Sequence, residues 1–417
     1  MIVRNLLKLT LLSFILISLM SSSCENDPTP ETVAVNPEMN MLSYDFEGNF
    51  EDMWKKVDSL QRIGLYKSAL SIVDVIFDSA SVAKNSPQVV KSVIHKMKYN
   101  SYITENEYVV ALNELNKISE ESTFPLKQII HSITAETYWG YYQSNRWKFI
   151  NRTQTINFNN DDIRTWDLTT LADRVYKQHQ LAISNKDSLQ HTDIKDFDEM
   201  LTSYSDDNEQ RPSLYDFLAH RALDFFQNPE RNLTRPADQF KLNGKEYFGS
   251  AAVFSMLSTD SNDSLSNELY EVRILQELTK FHLKDKKPTA LIDLELRRLK
   301  FARTNSTETN KEELYFLALN QLSEKYSESE SNDEIQFFIA DYLNEQGNKY
   351  NSETKENQWE KKKAHEICSA VLVKNPNSYG ARLCKSLLKK TQNKRVSFSM
   401  EPVYQPNTIG KFSLSTK

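Results

Sequence analysis

The first residue whose setting points to a chemical reaction is Cys24. Arg4 and Lys8 precede an almost wholly apolar run over residues 9–20, three serines follow, and then comes the cysteine. Small residues directly before a cysteine resemble a lipobox, at which a signal peptide is cleaved and the cysteine is acylated. The run is shorter than the ~20 residues that span a bilayer as a helix. We predict a signal peptide over residues 1–23 and lipidation of Cys24; the alternative is an ordinary secretory signal beside a chance cysteine.

Two further cysteines, Cys368 and Cys384, each lie eight residues from Pro376. The proline marks a turn between two helices, so both cysteines would lie at the same height of an antiparallel hairpin, ~12 Å from the turn. Each also falls on an apolar helical stripe. In a chain that leaves the reducing cytoplasm, this placement predicts a disulfide. The alternative is two buried free thiols that pack as small hydrophobic groups.

The remaining residues do not have the spacing of a catalytic or metal site. The seven histidines are scattered and form no His-Glu-x-x-His pair. Ser81 with Lys84, and Ser386 with Lys389, have the Ser-x-x-Lys spacing of some acyl enzymes, but this tetrapeptide is common by chance in a Ser- and Lys-rich chain. We therefore predict that the chain is not an enzyme and that it has no catalytic residue, cofactor or metal.

Other acid and base side chains are explained by packing. Asp293 and Glu295 lie two apart on a predicted helix, which puts them on different faces and is poor geometry for shared acid–base work. His220 and His282 lie beside apolar stripes, so we expect them in the core or at a packing interface rather than at a reaction centre.

Composition favours helices and excludes one class of partner. Only eight of the 417 residues are glycine, against an average usage of roughly 7%. The apolar fraction of 39% is enough to build cores. The formal charge of −6 is spread along the chain without a basic stripe, so we exclude nucleic acid as a main partner.

Apolar residues recur three and four apart through much of the chain, as on one face of a helix. Helices are predicted over residues 126–147, 214–226, 268–281, 289–302, 312–326 and 334–346. Residues 228–265 instead contain Asn, Pro, Gly and Ser with short apolar groups, which predicts a long irregular excursion over the surface.

Repeat signatures set the expected architecture. Gly64, Tyr66 and Ala69 have the spacing of the joint in tetratricopeptide repeats, where small residues let paired helices approach closely. A second signature, interrupted by an insertion, comprises Ile339, Ala340, Leu343 and Gly347, followed by Ala364, Cys368, Val371 and Pro376. We predict an all-α, tetratricopeptide-like superhelix over residues 46–392, preceded by a flexible tether over residues 24–45.

The period changes after residue 392. Val396, Phe398 and Met400 alternate with serines, as do Phe412 and Leu414, which predicts two strands. Because two strands alone are marginally stable, we expect residues 393–417 to be the start of a β-sandwich that the chain truncates.

Several segments resemble one known family. Residues 54–69 (WKKVDSLQRIGLYKSA), 138–153 (with YYQSNRW and NRT), 215–226 (YDFLAHRALDFF) and 281–286 (FHLKDK), with the cysteine-bearing hairpin, look like the N-terminal region of alpha-2-macroglobulin-family lipoproteins of the Bacteroidetes type. The resemblance implies a helical region ahead of macroglobulin-like β-sandwich domains. It also implies a lipid-anchored protein of the bacterial cell envelope, periplasmic or at the outer-membrane surface.

The resemblance further implies a protease trap, an endopeptidase inhibitor whose bait segment and downstream domains engage proteases. No Cys-x-Glu-Gln thioester motif is present, so this chain would position or dock the protein and bind an envelope partner whose identity is unknown. One alternative is a SusD-like glycan-binding lipoprotein that uses Trp139, Trp147 or Trp166 as sugar platforms. The other is a periplasmic assembly scaffold with protein partners only.

Replacing Cys24 by Ser should abolish membrane attachment, because stable attachment needs the acyl chains and no other predicted segment is sufficiently apolar. Metabolic labelling with a fatty-acid analogue should mark the wild type and leave Cys24→Ser unlabelled. Equal incorporation into both proteins would contradict lipidation.

Overall fold

The computed structural model describes residues 49–150, 162–198, 200–201, 207–227, 239–261, 263, 266–392, 396–400 and 412–416. The predicted signal peptide, the tether and Cys24 lie outside these residues. The chain divides into two compact units, Met1–Ala237 with Ser264–Asn267, and Asp238–Asp263 with Glu268–Lys417. The described part of each unit is mainly helical, which confirms the predicted all-α class.

The first unit is built from helices that pack in chain order. Its α-helices are α1 Phe50–Arg62, α2 Tyr66–Val82, α3 Ser86–Ile103, α4 Glu107–Glu121, α5 Leu126–Ile150, α6 Leu168–Ala182, α7 Lys186–Gln190, α8 Asp207–Gln210 and α9 Leu214–Phe226. Helices α1 to α6 pack consecutively, each on its neighbour in the chain, and α9 packs on α5 and α7. Each apolar stripe is therefore covered by a neighbouring helix.

Helix α1 closes its end of this stack. Trp54 and Val57 are buried, and the Trp54 Nε1 atom donates a hydrogen bond to Gln88 Oε1 of α3 at 2.7 Å. The opposite face carries exposed charged residues such as Asp52 and Lys55. A terminal helix with a polar outer face keeps a helical stack soluble at that end.

The second unit is also mainly helical. Its elements are α10 Ala251–Ser255, α11 Asn267–His282, α12 Thr289–Asn305, α13 Lys311–Lys325, α14 Asn332–Gly347, α15 Glu360–Lys374, α16 Tyr379–Gln392, β1 Val396–Met400 and β2 Phe412–Thr416, with a 3-10 helix over Lys245–Phe248. Helices α12, α13 and α14 pack consecutively, and α14, α15 and α16 all contact one another.

The described part of residues 228–265 corrects the sequence prediction of a surface excursion. Tyr247 and Phe254 are buried. Arg298 of α12 is 1% exposed and donates to the carbonyl oxygens of Tyr247 at 2.7 Å and Gly249 at 2.8 Å, while its guanidinium pairs with Glu295 at 2.7 Å. Because one arginine satisfies these backbone acceptors, the segment packs into the core despite its turn-rich composition.

A second arginine joins three helices. Arg303 at the end of α12 pairs with Glu312 of α13 and Glu345 of α14, each at 2.7 Å. Its guanidinium carbon also lies 4.9 Å from the ring centroid of Tyr315 and 5.2 Å from that of Tyr342. The hydrogen bond from Arg303 lowers the pKa of Glu312, which keeps the carboxylate charged and the joint paired.

Two glycines of the repeat signatures have different roles. Gly64 has a φ of +78°, and a Cβ there would meet nothing within 4 Å, so it ends α1 with a left-handed turn and does not serve close packing. Ala69, the other small residue of that signature, is fully buried. At Gly347, a Cβ would lie 2.5 Å from Lys361 Cγ, so this glycine does permit close packing of α14 and α15.

A close helix contact is made by Gly380 in the first turn of α16. A Cβ there would lie 2.3 Å from the carbonyl carbon of Asp333 and 2.6 Å from the nitrogen of Glu334, both in α14. The buried Asp333 carboxylate accepts hydrogen bonds from Asn375 at 3.0 Å and Ser378 at 2.8 Å. The turn before α16 is thereby fixed onto the start of α14.

The two predicted strands are present and pair antiparallel. Phe398 lies opposite Leu414, and Met400 lies opposite Phe412. The period-2 alternation places Phe398, Met400 and Leu414 on one face and Ser399 and Ser413 on the other. Phe398, Met400 and Leu414 are each more than half exposed. We call these two strands the ribbon.

Replacing Gly380 by Ala should destabilise the protein by about 3 kcal/mol, because the added methyl group meets backbone atoms that cannot rotate away. The matched control is Lys385→Ala on the exposed face of the same helix, which should change stability by less than about 0.5 kcal/mol. Urea unfolding monitored by circular dichroism measures both. Equal midpoints for Gly380→Ala and the wild type would contradict the close contact.

Candidate functional site

Cys368 of α15 and Cys384 of α16 are brought together as the sequence predicts. Both side chains are fully buried, and the two sulfur atoms are within hydrogen-bonding reach of each other. Both are free thiols in this structure. The predicted placement on facing stripes is confirmed, and the disulfide stays a prediction.

The chemistry of this thiol pair limits when it can be oxidised. The hydrogen bond to Cys368, followed by burial, raises the pKa of the Cys384 thiol. Thiol–disulfide exchange proceeds through the thiolate. The same hydrogen bond lowers the pKa of the Cys368 thiol, so burial of both sulfur atoms, and not the lack of a thiolate, limits oxidation of the folded pair. We therefore expect a disulfide to form while the chain folds, before α15 and α16 close over the sulfur atoms.

The Ser-x-x-Lys spacings do not form activated serines. Ser81 lies in the last turn of α2, and Lys84 lies beyond the helix with a φ of 54°. Lys389 is exposed on α16, beside the half-buried Ser386. Both lysines are exposed to solvent, whereas a lysine that activates a neighbouring serine is buried beside it.

The other acid and base residues lie in structural contacts. Glu295 is held by Arg298, away from any shared chemistry with Asp293. His220 is 3% exposed in α9, which agrees with the prediction of a packing role. His282 is also buried, and its Nδ1 atom lies 2.7 Å from an Asp285 carboxylate oxygen at the end of α11.

Two of the three tryptophans considered as sugar platforms are inaccessible. Trp139 is 7% exposed and packs edge-on against Phe225 at 5.5 Å, while Trp166 is 3% exposed and lies 5.4 Å from Tyr138. A ring must present its face to solvent to stack on a sugar. Trp147 alone of the three is exposed, at 69%.

Neither a metal centre nor a membrane span is formed by the described residues. Within them, no three His, Cys, Asp or Glu side chains gather as metal ligands. Among the same residues, no helix is both long enough and apolar enough to cross a bilayer.

An open concavity of about 280 Å³ lies on the second unit. One wall is formed by α13 and the other by the segment around the 3-10 helix and α10, through Leu314, Leu317 and Ala318 facing Phe248, Gly249 and Val253. Leu317 and Val253 are about half exposed. Most of its lining is apolar, and its polar lining residues are Lys245, Glu246 and Gln321, so the concavity has the composition of a surface that accepts an apolar group.

Sequence reasoning missed this concavity because its two walls lie far apart in the chain. The composition of residues 245–253 predicts a surface excursion. The periodicity of α13 predicts a helix but does not show which other segment it faces. One signal was present: Leu317 falls outside the buried stripe that Tyr315, Leu319 and Leu322 form. An apolar residue off the stripe indicates a second contact surface.

No protein-family model matches this chain, and no curated protein or solved structure is significantly similar to it. The resemblance to macroglobulin-family lipoproteins rests on the sequence segments alone.

The exported protein should contain one disulfide between Cys368 and Cys384. Closing this loop should stabilise the hairpin of α15 and α16 by about 3 kcal/mol in the chain-entropy model. Reductant should therefore lower the unfolding midpoint of the wild type and leave that of Cys384→Ala unchanged. Peptide mass mapping without reduction should find the two cysteine peptides linked; alkylation of both thiols in the unreduced, denatured protein would contradict the bond.

Proposed function

We propose that this chain is the lipid-tethered helical scaffold region of a bacterial cell-envelope protein, and that it positions a β-structured part of that protein. The observation that carries the proposal is the ribbon. Its face with Phe398, Met400 and Leu414 is exposed directly after the last helix of the second unit. A β-face of this composition is stable when another sheet packs on it.

The full-length protein would be an endopeptidase inhibitor of the macroglobulin type. This finer proposal is supported by the resemblance of four sequence segments and the cysteine hairpin. The bait segment that proteases cleave, and any thioester, would lie in β-sandwich domains that the ribbon begins. The helical units themselves would be inert toward proteases and would place the trap at the membrane surface.

Protein partners are favoured over glycans by the buried aromatic residues. Trp139 and Trp166 are packed inside the first unit, so the glycan alternative loses two of its three platforms. The apolar concavity on the second unit instead offers Leu317 and Val253 to a protein side chain. An assembly scaffold with protein partners only is the second candidate, and this concavity is the feature that favours it.

Cysteine labelling tests whether the ribbon is covered. Leu414→Cys should react with maleimide in the purified chain and be protected in the natural protein in intact envelopes. Val373→Cys, at a site 86% exposed on α15, is the matched control and should react in both settings. The native Cys368 and Cys384 are fully buried and give little background. Equal labelling of Leu414→Cys in both settings would contradict the positioning role.

A protease assay tests whether protease inhibition lies outside the helical units. The purified chain, incubated with endopeptidases of different specificities, should leave their cleavage of a large protein substrate unchanged, since a trap needs a bait and a cage that rearranges. Stoichiometric loss of that activity, with small-peptide cleavage spared, would place trapping within these helical units and contradict the proposal.

A further inference from the structure

Helices α15 and α16 bring together lysines that are separated in the sequence. Gln392 Nε2, at the end of α16, lies 3.3 Å from His365 Nε2, near the start of α15. The two helices therefore run antiparallel with these residues at the same height. The surface along their contact on this side is the lysine seam, defined by Lys361, Lys362, His365, Ser369, Lys385, Lys389 and Gln392.

Helical periodicity places the lysines beside this contact. Lys361 and Lys362 lie four and three residues before His365, and Lys389 lies three residues before Gln392. Residues three, four and seven apart share a helix face. Lys385, seven before Gln392, continues the row along α16. All four lysines are exposed.

The charge of the seam is not neutralised within the described part of the chain. Glu366 is the acidic residue that approaches it, with 3.8 Å between its carboxylate and Lys362 Nζ, and both side chains are more than 60% exposed. An exposed pair at that distance contributes little. Among the described residues, no carboxylate forms an ion pair with Lys361, Lys385 or Lys389.

The seam has the dimensions of a short extended segment. The level of Lys385 corresponds to the fourth turn of α15, so the lysines span ~16 Å along the helix axes at 1.5 Å per residue. An extended chain rises ~3.3 Å per residue, and about five residues would lie along the seam. At one end, Trp359 is 58% exposed, with Lys362 Nζ 5.9 Å from its ring centroid.

We propose that the lysine seam is a docking site for an acidic peptide segment of a partner protein. Charge complementarity selects the occupant: two exposed lysines at the start of α15 and two exposed lysines in the last turns of α16 would contact an extended run of glutamates or aspartates at the two ends of the seam. His365 lies between these two lysine pairs, 3.4 Å from Ser369 Oγ and 3.3 Å from Gln392 Nε2, and the exposed His365 and Gln392 side chains would exchange these contacts for hydrogen bonds to the backbone of the segment. This site is independent of the ribbon, and the proposal holds whether or not the chain belongs to a protease trap.

Fluorescence anisotropy of the full chain tests the proposal with a fluorescein-labelled peptide that contains five consecutive glutamates. Binding should weaken as salt rises, and a peptide with five glutamines should not bind. The double variant Lys385→Glu/Lys389→Glu should bind the acidic peptide at least about tenfold more weakly. Circular dichroism confirms that the variant is folded.

The control makes the same change of charge elsewhere. Lys284→Glu/Lys286→Glu lies in the exposed turn between α11 and α12 and should bind within about twofold of the wild type. Equal weakening in both double variants would show that only net charge matters and would overturn the site. Tighter binding to anionic vesicles or to single-stranded DNA than to the acidic peptide would overturn the choice of partner.

Discussion

The main constraint on both units is that each helix has one apolar stripe which only a neighbouring helix can cover. In the first unit this requirement is met by packing α1 to α6 in chain order. The outermost helices in each unit show how a stack ends: α1 and α16 bury one narrow face and expose charged residues on the other. Among the described helices, such ends oppose further stacking.

Polar side chains build the joints between helices. Arg298 holds a turn-rich segment in the core, Arg303 links three helices, and Asp333 fixes the turn before α16 against α14. The joints at Arg298 and Asp333 are buried, so removing one partner there would leave the other unsatisfied, whereas the carboxylates that pair with Arg303 are partly exposed. Glu295, which the sequence offers as a candidate acid–base residue, is part of the first of these joints through its ion pair with Arg298.

Three solvent-exposed surfaces of the second unit concentrate apolar or basic side chains. They are the apolar face of the ribbon, the concavity between α13 and α10, and the lysine seam of α15 and α16. Their chemistry differs, since two are apolar and one is basic. For the scaffold role proposed above, this variety offers contacts to more than one protein element.

The sequence alone determined most of the long helices and both strands, whereas the short helix α10 lies in a segment that the sequence predicts to be irregular. Apolar residues spaced three and four apart form one stripe along a helix. The helices predicted from this spacing over residues 214–226 and 289–302 match α9 and α12 within a few residues. Alternation after residue 392 likewise indicated β1 and β2. Equal distances from Pro376 sufficed to place Cys368 beside Cys384, because a short turn fixes the height of two antiparallel helices.

Contacts between distant segments were decided only by the tertiary structure. Local pattern does not show that Arg298 reaches carbonyl oxygens about fifty residues away, so residues 239–263 looked like a surface loop. Gly64 and Gly380 are alike in the sequence, but one supplies a left-handed turn and the other a close helix contact. The lysines of α15 and α16 form no basic stripe along the chain. They gather because antiparallel packing brings the start of one helix beside the end of the next, a relation that depends on three-dimensional proximity and not on sequence spacing.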